Sequence, residues 1–321
     1  MTLREIMRKC TILLLVLSAM PCDAGENDKP GLGMWVWPQN AFNTGAARRE
    51  LLDFCAKEGI SHVDQHVRIE IRSAALSIAN ADALTALVVA AQKQGMTVNA
   101  LRGGRDLFLE GNHDETLRGL RAIVAFDKRL PSTAHLAGVK YDVEPYGLDA
   151  WKAGGQQRTK VILDYLSFLQ KAKALLAKEA PHIMLCVDVP FWWDKKEFAV
   201  TFGGKEKLLV HHVQDLTDYI GIMSYRPSSK QVLECVRQEL KYAATTGKTV
   251  CPGLETGVLE GKENRISFSG HPTSVFREAV DELQQAVSGS KAVRCIMLHH
   301  YGSLFTYLGE TPNKPDAGDG K

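Results

Sequence analysis

The sequence has no C-x-x-C pair, no marked excess of one charge and no apolar run long enough to cross a bilayer. Its 39 basic and 37 acidic residues leave a formal net charge of +2, and no block of lysine and arginine resembles a nucleic-acid footprint. We therefore expect neither a nucleic-acid partner nor a membrane span. What is present is a chain of 321 residues, 45% of them hydrophobic, which can bury one sizeable core or two modest ones.

The first residues have the anatomy of a secretory signal. Three basic residues precede the apolar run Ile12–Leu17, and Cys22-Asp-Ala24 supplies a small-x-small cleavage site. The apolar run is much shorter than the roughly 20 residues that span a bilayer. We predict a signal peptide over residues 1–24, cleavage after Ala24, and export to the periplasm or the medium.

The cysteines give no sign of a fold held together by disulfide bonds. Of the seven cysteines, five remain after residues 1–24 are removed, and this odd number without paired spacing argues against a disulfide framework. Three of the five lie in apolar runs with strand character, where a free cysteine behaves as a small buried hydrophobe. Neither a metal nor another cofactor is expected from the sequence.

Short β-rich runs alternate with segments that carry apolar residues at helical spacing. The predicted strands are Gly31–Trp37, Ser61–Val67, Met96–Leu101, Ala137–Asp142, Ile183–Val189, Tyr219–Ser224, Thr249–Leu254 and Val293–His299. The predicted helices include Ala46–Lys57, Asp82–Gln94, Arg158–Lys178, Lys230–Thr245 and Pro272–Val287.

Eight strand–helix repeats over roughly 290 residues predict a (β/α)8 TIM barrel, an α/β fold of parallel strands with crossover helices. We place it in a single domain, residues 25–309, followed by a disordered polar tail, residues 310–321. An open doubly wound sheet is the alternative, but no G-x-G-x-x-G follows the first predicted strand.

The fourth predicted strand ends in two carboxylates, Asp142 and Glu144, followed at once by Pro145. Alternate residues of a strand point the same way, so the two acids can share one face. One member of such a pair usually stays ionised while the other keeps its proton near neutrality. We expect Asp142 to be the ionised member and Glu144 to carry the proton, which suits acid/base work on a glycosidic bond.

The other strands also turn polar or aromatic at their carboxyl ends, where a barrel builds its active site. Glu255 and Tyr225 join the carboxylate pair as candidate catalytic residues. The candidate substrate-binding residues are Trp35, Trp37, His66, Arg102, Asp188, Trp192, Trp193, His299 and Tyr301. Tryptophan rings stack on the C–H faces of sugars, although we expect at least two of the five tryptophans to be structural.

Two motifs resemble the chitinase-like glycoside hydrolases. Asp142-Val-Glu144 resembles the end of their D-x-x-D-x-D-x-E signature, with Lys140 where another acid would stand, and Met223-Ser-Tyr225 resembles the M-[ST]-Y of their sixth strand. In that family the glutamate is the acid, the aspartate supports the acetamido group of the substrate, and the tyrosine helps to position it. The resemblance implies these roles for Glu144, Asp142 and Tyr225.

A second resemblance is to the retaining glycosidases with catalytic glutamates on strands four and seven. Glu144-Pro145 is similar to the end of their Asn-Glu-Pro motif, with Val143 replacing the asparagine, and Glu255 falls where their nucleophile lies. A retaining pair needs carboxyl groups about 5–5.5 Å apart, and an inverting pair about 6.5–9.5 Å. Both resemblances follow the barrel order along the chain after the signal.

The sequence therefore predicts a secreted TIM-barrel glycoside hydrolase that cleaves O-glycosyl bonds of a poly- or oligosaccharide. Glu144 is the predicted acid/base, and either Glu255, in the favoured retaining mechanism, or substrate assistance supported by Asp142 completes the reaction. One alternative is an inactive carbohydrate-binding barrel. Another is a metal-dependent hydrolase using Asp142, Asp188, His299 and His300, but the first strand lacks a ligand pair such as His-x-His. Sugar identity, linkage and oligomeric state are left open.

Overall fold

The computed structural model describes residues 29–72 and 75–310. The predicted signal peptide lies outside these residues, as does the predicted tail beyond residue 310. Eight strands form the central sheet. They are β1 Gly31–Val36, β2 Ile60–His66, β3 Thr97–Gly103, β4 Gly138–Asp142, β5 Met184–Pro190, β6 Tyr219–Met223, β7 Thr249–Glu255 and β8 Cys295–His299.

The eight strands close into a barrel in sequence order, and β8 pairs with β1, for example at Leu298 beside Met34. Each strand is parallel to both of its neighbours. The predicted (β/α)8 TIM barrel is therefore confirmed. Each strand begins and ends within two residues of its prediction, because short apolar runs between helical segments mark buried parallel strands well.

The helices that surround the barrel follow the predicted segments. They are α1 Gly45–Lys57, α2 Ala81–Lys93, α3 His113–Asp127, α4 Asp149–Lys152, α5 Gly155–Glu179, α6 Leu209–Leu216, α7 Ser229–Cys235, α8 Arg237–Thr246, α9 Thr273–Ala286 and α10 Tyr301–Tyr307. The predicted helix Lys230–Thr245 is divided at Val236, whose φ/ψ of −107° and 6° leave the helical region. None of the described helices is long and apolar enough to cross a membrane.

Two short antiparallel hairpins are added to the barrel. Ile69–Arg72 pairs with Ala75–Ile78 after β2, and Val200–Phe202 pairs with Lys205–Lys207 after β5. The first hairpin packs on α3. Both hairpins follow the carboxyl ends of strands, so they add to the face of the barrel on which loops build a site.

The apolar side chains form two layers. The larger one lies between the sheet and the helices and includes Leu51, Val139, Leu166 and Ile220, all fully buried. The smaller one fills the barrel interior with Trp35, Leu101, Cys186, Tyr219, Cys251, Cys295 and Met297. This interior also holds charged groups, which support the site described next.

Candidate active site

A cleft of about 520 Å³ opens at the carboxyl ends of β4 to β8. Six of the predicted site residues line it: Asp142, Glu144, Trp192, Tyr225, Glu255 and His299. The loop after β5 contributes Phe191 and Trp192 to one wall, and the segment after β7 contributes Arg265. The cleft thus combines three carboxyl groups with an aromatic wall, which is the usual composition of a sugar-binding site.

The backbone after β4 presents both acids to the cleft. Asp142 is the last residue of the strand, and Pro145 begins a one-turn 3-10 helix directly after Glu144. Val143 between them is 1% exposed and packs into the core. Because alternate side chains point to opposite faces, burial of Val143 leaves Asp142 and Glu144 together on the cleft side.

Tyr146 is a cleft residue that the sequence reasoning missed. Its hydroxyl donates a hydrogen bond of 2.5 Å to Oε1 of Glu144, and its ring packs against Trp192 at 5.3 Å between centroids. This bond fixes one oxygen of Glu144 and leaves the other available to a substrate. A signal was present, because Tyr146 closes the same Gly138–Tyr146 segment two residues after the acid.

The surroundings of Asp142 favour its neutral form. Burial raises the pKa of Asp142 well above its ordinary value, and the neighbouring Asp188 and Glu144 raise it further, while Lys140 opposes them. Its Oδ1 atom is buried without a hydrogen-bond partner. This direction runs against the sequence-based expectation of an ionised Asp142, because burial and the surrounding carboxyl groups outweigh the one nearby cation.

A buried cation lies beneath the cleft. Lys140 is 0% exposed inside the barrel, with its ammonium 2.7 Å from Oδ2 of Asp64 and 3.0 Å from Oδ1 of Asp188. Burial would lower the pKa of Lys140, but Asp188 and Asp64 outweigh it and raise that pKa well above the ordinary value. The Trp35 indole donates to Oδ2 of Asp188 at 2.8 Å, so this network supports the floor of the cleft.

The second half of the network fixes Asp64. Burial alone would raise its pKa, but Lys140 and His62 lower the pKa of Asp64 below its ordinary range. His62 lies 2.8 Å from Oδ1 of Asp64, and Asn99 donates to the same oxygen at 2.9 Å. Lysine at position 140, which departs from the chitinase-like signature, is thus compensated by carboxylates from β2 and β5.

Glu255 lines the cleft with both carboxylate oxygens engaged. Nδ1 of His299 is 2.6 Å from Oε2, and the backbone N–H of Gly257 donates to Oε1 at 2.6 Å. The side chain is 2% exposed. These two hydrogen bonds fix the orientation of the Glu255 carboxylate at the edge of the cleft.

His299 connects Glu255 to several aromatic rings. The Trp37 indole donates to Nε2 of His299 at 3.4 Å, and the rings of Tyr225 and Trp35 lie 5.5 and 5.6 Å from the imidazole. Tyr225 is partly buried, and burial followed by the charge of Glu255 raises the pKa of its hydroxyl well above the ordinary value. The hydroxyl therefore remains a hydrogen-bond donor at any ordinary pH.

Four predicted substrate-binding residues are buried away from the cleft. Trp35 and Asp188 belong to the barrel interior, each 1% exposed. Trp193 is 0% exposed and stacks on Trp151 at 5.8 Å, and Tyr301 packs between Phe54 and Phe305. These side chains serve packing or charge compensation, which confirms that at least two tryptophans are structural.

His66 and Arg102 line cavities other than the cleft. Arg102 borders spaces of about 360 and about 310 Å³ beside the hairpin that follows β2, and His66 borders the second of these. Trp37 lies between the two regions, with its ring 5.5 Å from His66 and its indole N–H on His299. A long ligand would therefore have to extend past Trp37 to meet Arg102.

The residues of the metal-dependent alternative do not assemble. Asp188 is paired with Lys140. Within residues 29–72 and 75–310, neither Asp142, Asp188, His299 nor His300 belongs to a group of three ligand atoms close enough to share an ion. The described part of the cleft thus offers carboxylates and aromatic rings and no grouped ligand set.

Comparison with solved structures identifies the fold. A chitinase from Bacteroides thetaiotaomicron is 16% identical, with a TM-score of 0.54 over 85% of this chain and 89% of that one. A modular endo-β-1,4-mannanase from Cellulomonas fimi is 10% identical, with a TM-score of 0.55 over 90% and 68%. The spore cortex-lytic enzyme SleL from Bacillus cereus is 9% identical, with a TM-score of 0.52 over 89% and 75%.

At such identities the likeness shows the fold alone: the chain has the closed eight-stranded barrel that these hydrolases share. Neither a protein-family model nor a curated protein sequence matches the chain. Any chemistry assigned to the protein must therefore come from the geometry of its own cleft.

Proposed function

We propose that the protein is an exported glycoside hydrolase that cleaves a glycan containing 2-acetamido sugars, with Glu144 as the general acid and then the general base. The observation that carries this proposal is the presence of Glu144, Asp142 and Tyr225 in one cleft of about 520 Å³. Export rests on the N-terminal sequence, whose basic region, apolar run and small-x-small site are typical of a secretory signal.

In the proposed reaction Glu144 protonates the glycosidic oxygen through the carboxyl oxygen that Tyr146 does not hold. The bond from the anomeric carbon to that oxygen breaks while the carbonyl oxygen of the substrate's own acetamido group attacks the anomeric carbon. The Glu144 carboxylate then removes a proton from a water molecule. The water oxygen adds to the anomeric carbon, and the ring that the acetamido oxygen closed opens again. Configuration is retained without a covalent enzyme intermediate.

Asp142 and Tyr225 act on the acetamido group in this proposal. A neutral carboxyl group has one donor and acceptor capacity, so Asp142 can hydrogen-bond the amide without placing a second charge beside Glu144. The Tyr225 hydroxyl, kept protonated by its buried position, is available as a donor to the acetamido oxygen. Trp192 and Phe191 supply the aromatic wall for the sugar ring.

The second candidate is the retaining mechanism in which Glu255 attacks the sugar. It is supported by the presence of Glu255 in the same cleft, at the end of β7. In that mechanism the carboxylate would attack while His299 and the N–H of Gly257, both 2.6 Å away, hold its two oxygens. The two mechanisms differ in one requirement, because only the first needs an acetamido group on the substrate.

The decisive experiment compares wild type with Glu144→Gln on 4-nitrophenyl glycosides of N-acetylglucosamine oligomers and, in parallel, of glucose and mannose oligomers. The substitution should lower kcat by roughly 100- to 10,000-fold, the usual contribution of a general acid, and should leave sugar binding and the melting temperature unchanged. Glu278→Gln, an exposed glutamate on α9, is the matched control and should retain full activity.

The substrate panel distinguishes the alternatives. Turnover of the N-acetylated glycosides alone supports substrate assistance, whereas equal turnover of the glucosides or mannosides supports Glu255 as nucleophile. Binding of glycans with no turnover by the wild type would identify a carbohydrate-binding barrel. Loss of activity in a chelator would point to a metal-dependent hydrolase instead.

A further inference from the structure

A second group of chemically active side chains lies at the opposite end of the barrel from the cleft. Asp127 is the last residue of α3, His135 precedes β4, and His182 precedes β5. The two histidines stand before the amino ends of the strands whose carboxyl ends form the cleft. The proposed glycoside hydrolysis uses none of the three residues.

These side chains offer three ligand atoms that all lie within 4.8 Å of one another. Nε2 of His182 is 2.7 Å from Oδ2 of Asp127, and Nδ1 of His135 is 3.4 Å from the same oxygen. Tetrahedral zinc with bonds near 2.1 Å places neighbouring ligand atoms about 3.4 Å apart. Of the three pairs of ligand atoms, Asp127–His135 already has this separation, Asp127–His182 is closer, and the two histidine nitrogens lie within 4.8 Å of each other.

Burial and a hydrogen bond fix the orientation of the Asp127 carboxylate. Asp127 is 1% exposed, and its other oxygen, Oδ1, accepts the backbone N–H of Leu136 at 2.7 Å. The backbone N–H of His135 is fixed in turn by the side chain of Gln92 at 3.1 Å. Supporting hydrogen bonds of this kind orient the ligands of metal sites.

The histidines, in contrast, are accessible. Each of the His135 and His182 side chains is 46% exposed, and their rings lie 5.1 Å apart. An ion can therefore reach the group from solvent, and the rings can rotate by the small amount that binding needs. Two imidazoles with one carboxylate are a donor set that suits zinc and leaves a fourth position for water.

We propose that Asp127, His135 and His182 bind one Zn²⁺ ion, with water as the fourth ligand, and that the ion stabilises the barrel. Binding displaces the hydrogen that lies between Nε2 of His182 and Asp127: in a neutral imidazole it moves to Nδ1 by tautomerisation, and from an imidazolium it passes to water as the metal–nitrogen bond forms. The ion would join the end of α3 to the segments that lead into β4 and β5. At the amino ends of barrel strands such a site serves stability, because the chemistry takes place at the other end.

The experiment uses the full mature chain, freed of metal with a chelator and then titrated with ZnCl2 by calorimetry and by thermal unfolding. Wild type should bind one Zn²⁺, and saturation at about 100 times Kd should raise Tm by roughly 5 °C. His135→Gln and His182→Gln should each weaken binding by at least 10-fold, and the fold should tolerate both substitutions because the two side chains are half exposed. His271→Gln, an exposed histidine on the far side of the chain, is the matched control.

A visible spectrum of the Co²⁺-loaded wild type, compared with those of the two variants, gives an independent measurement. Four-coordinate cobalt with imidazole ligands absorbs strongly, and this band should be absent from both variants. The proposal is overturned if wild type binds no Zn²⁺, or if the two glutamine variants bind it as tightly as wild type does. Glycosidase activity should be the same with and without Zn²⁺, so failure of the zinc site and failure of the proposed function are separate results.

Discussion

At Asp142, one carboxyl group lies among three other ionisable side chains, and its protonation decides what it can do. Burial, Asp188 and Glu144 favour the neutral form, and only Lys140 opposes it. A neutral carboxyl group resembles an amide in shape and in hydrogen-bonding capacity. The asparagine variant is therefore a direct test of whether Asp142 works without its charge.

We predict that Asp142→Asn retains activity within about 10-fold of wild type, because it keeps one donor and one acceptor in the same place. Asp142→Ala should lose roughly 100-fold or more, since it removes both. Steady-state kcat on the substrate that wild type prefers is the measurement, with thermal unfolding to verify that both variants fold. A loss in Asp142→Asn as large as that in Glu144→Gln would show that the ionised form is needed.

The sequence identified the two acids but not the direction in which the surroundings shift the pKa of Asp142. Period-two alternation on one strand is enough to place Asp142 and Glu144 side by side. That shift depends on burial and on Asp188, which belongs to β5 and meets β4 only in the closed barrel. Interactions between charged residues that lie far apart in the sequence leave no local pattern in it.

Among the elements, β6 shows how closely the interior charges are packed. Gly221 lies next to Asp188 in the β5–β6 register. A Cβ atom at this position would lie 2.0 Å from Oδ1 of Asp188 and 3.0 Å from Nζ of Lys140. Neither group can move away without breaking the ion pair that neutralises the barrel interior.

Gly221→Ala should therefore destabilise the protein by at least about 1–3 kcal/mol, the usual cost of overpacking, and by more if the ion pair opens. In urea the unfolding midpoint should fall while the m value stays constant. Gly111→Ala is the matched control, because a Cβ atom there meets nothing within 4 Å. An equal midpoint for both variants would mean that the interior can rearrange freely.

At the level of elements, the sequence predicted strand positions well and side-chain depth poorly. Asp188 and Glu255 both come near the carboxyl ends of their strands, yet Asp188 lies within the barrel and Glu255 borders the cleft. Alternation distinguishes the inner face of a strand from its outer face. It does not distinguish one layer of the interior from the next, since depth is set by the stagger between strands.

Over the whole molecule, buried acids give the stability an unusual pH dependence. Burial raises the pKa values of Asp142 and Asp188, and the same cause raises the pKa of Glu239 on α8 to about 8. Asp64 alone of these four has a lowered pKa, through Lys140 and His62 acting against its burial. For Asp142 and Glu239, whose shifts are large, the folded chain favours the protonated acid at pH values where the unfolded chain releases the proton.

Glu239 gives the clearest case, because it is 0% exposed and both of its carboxylate oxygens lack a hydrogen-bond partner. Its ordinary pKa of 4.5 applies to the unfolded chain, and about 8 applies to the folded one. Between these pH values the native state binds more protons than the unfolded state, so stability falls as pH rises, by at most about 1.4 kcal/mol per pH unit. The neutral acid makes its full contribution to the free energy of unfolding below pH 4.5, and this contribution is lost above about pH 8.

We predict that wild type is more stable at pH 5.5 than at pH 8.5, and that Glu239→Gln removes part of this difference by stabilising the protein at pH 8.5. Glutamine is neutral at both pH values, so it avoids the cost of a buried unpaired charge, which amounts to roughly 1–3 kcal/mol or more. Urea unfolding at the two pH values measures the effect, with Glu278→Gln as the control on an exposed position. If Glu239→Gln has the same pH dependence as wild type, the acid is already solvated in the native state, and the alkaline loss of stability must come from Asp142 and Asp188 in the barrel.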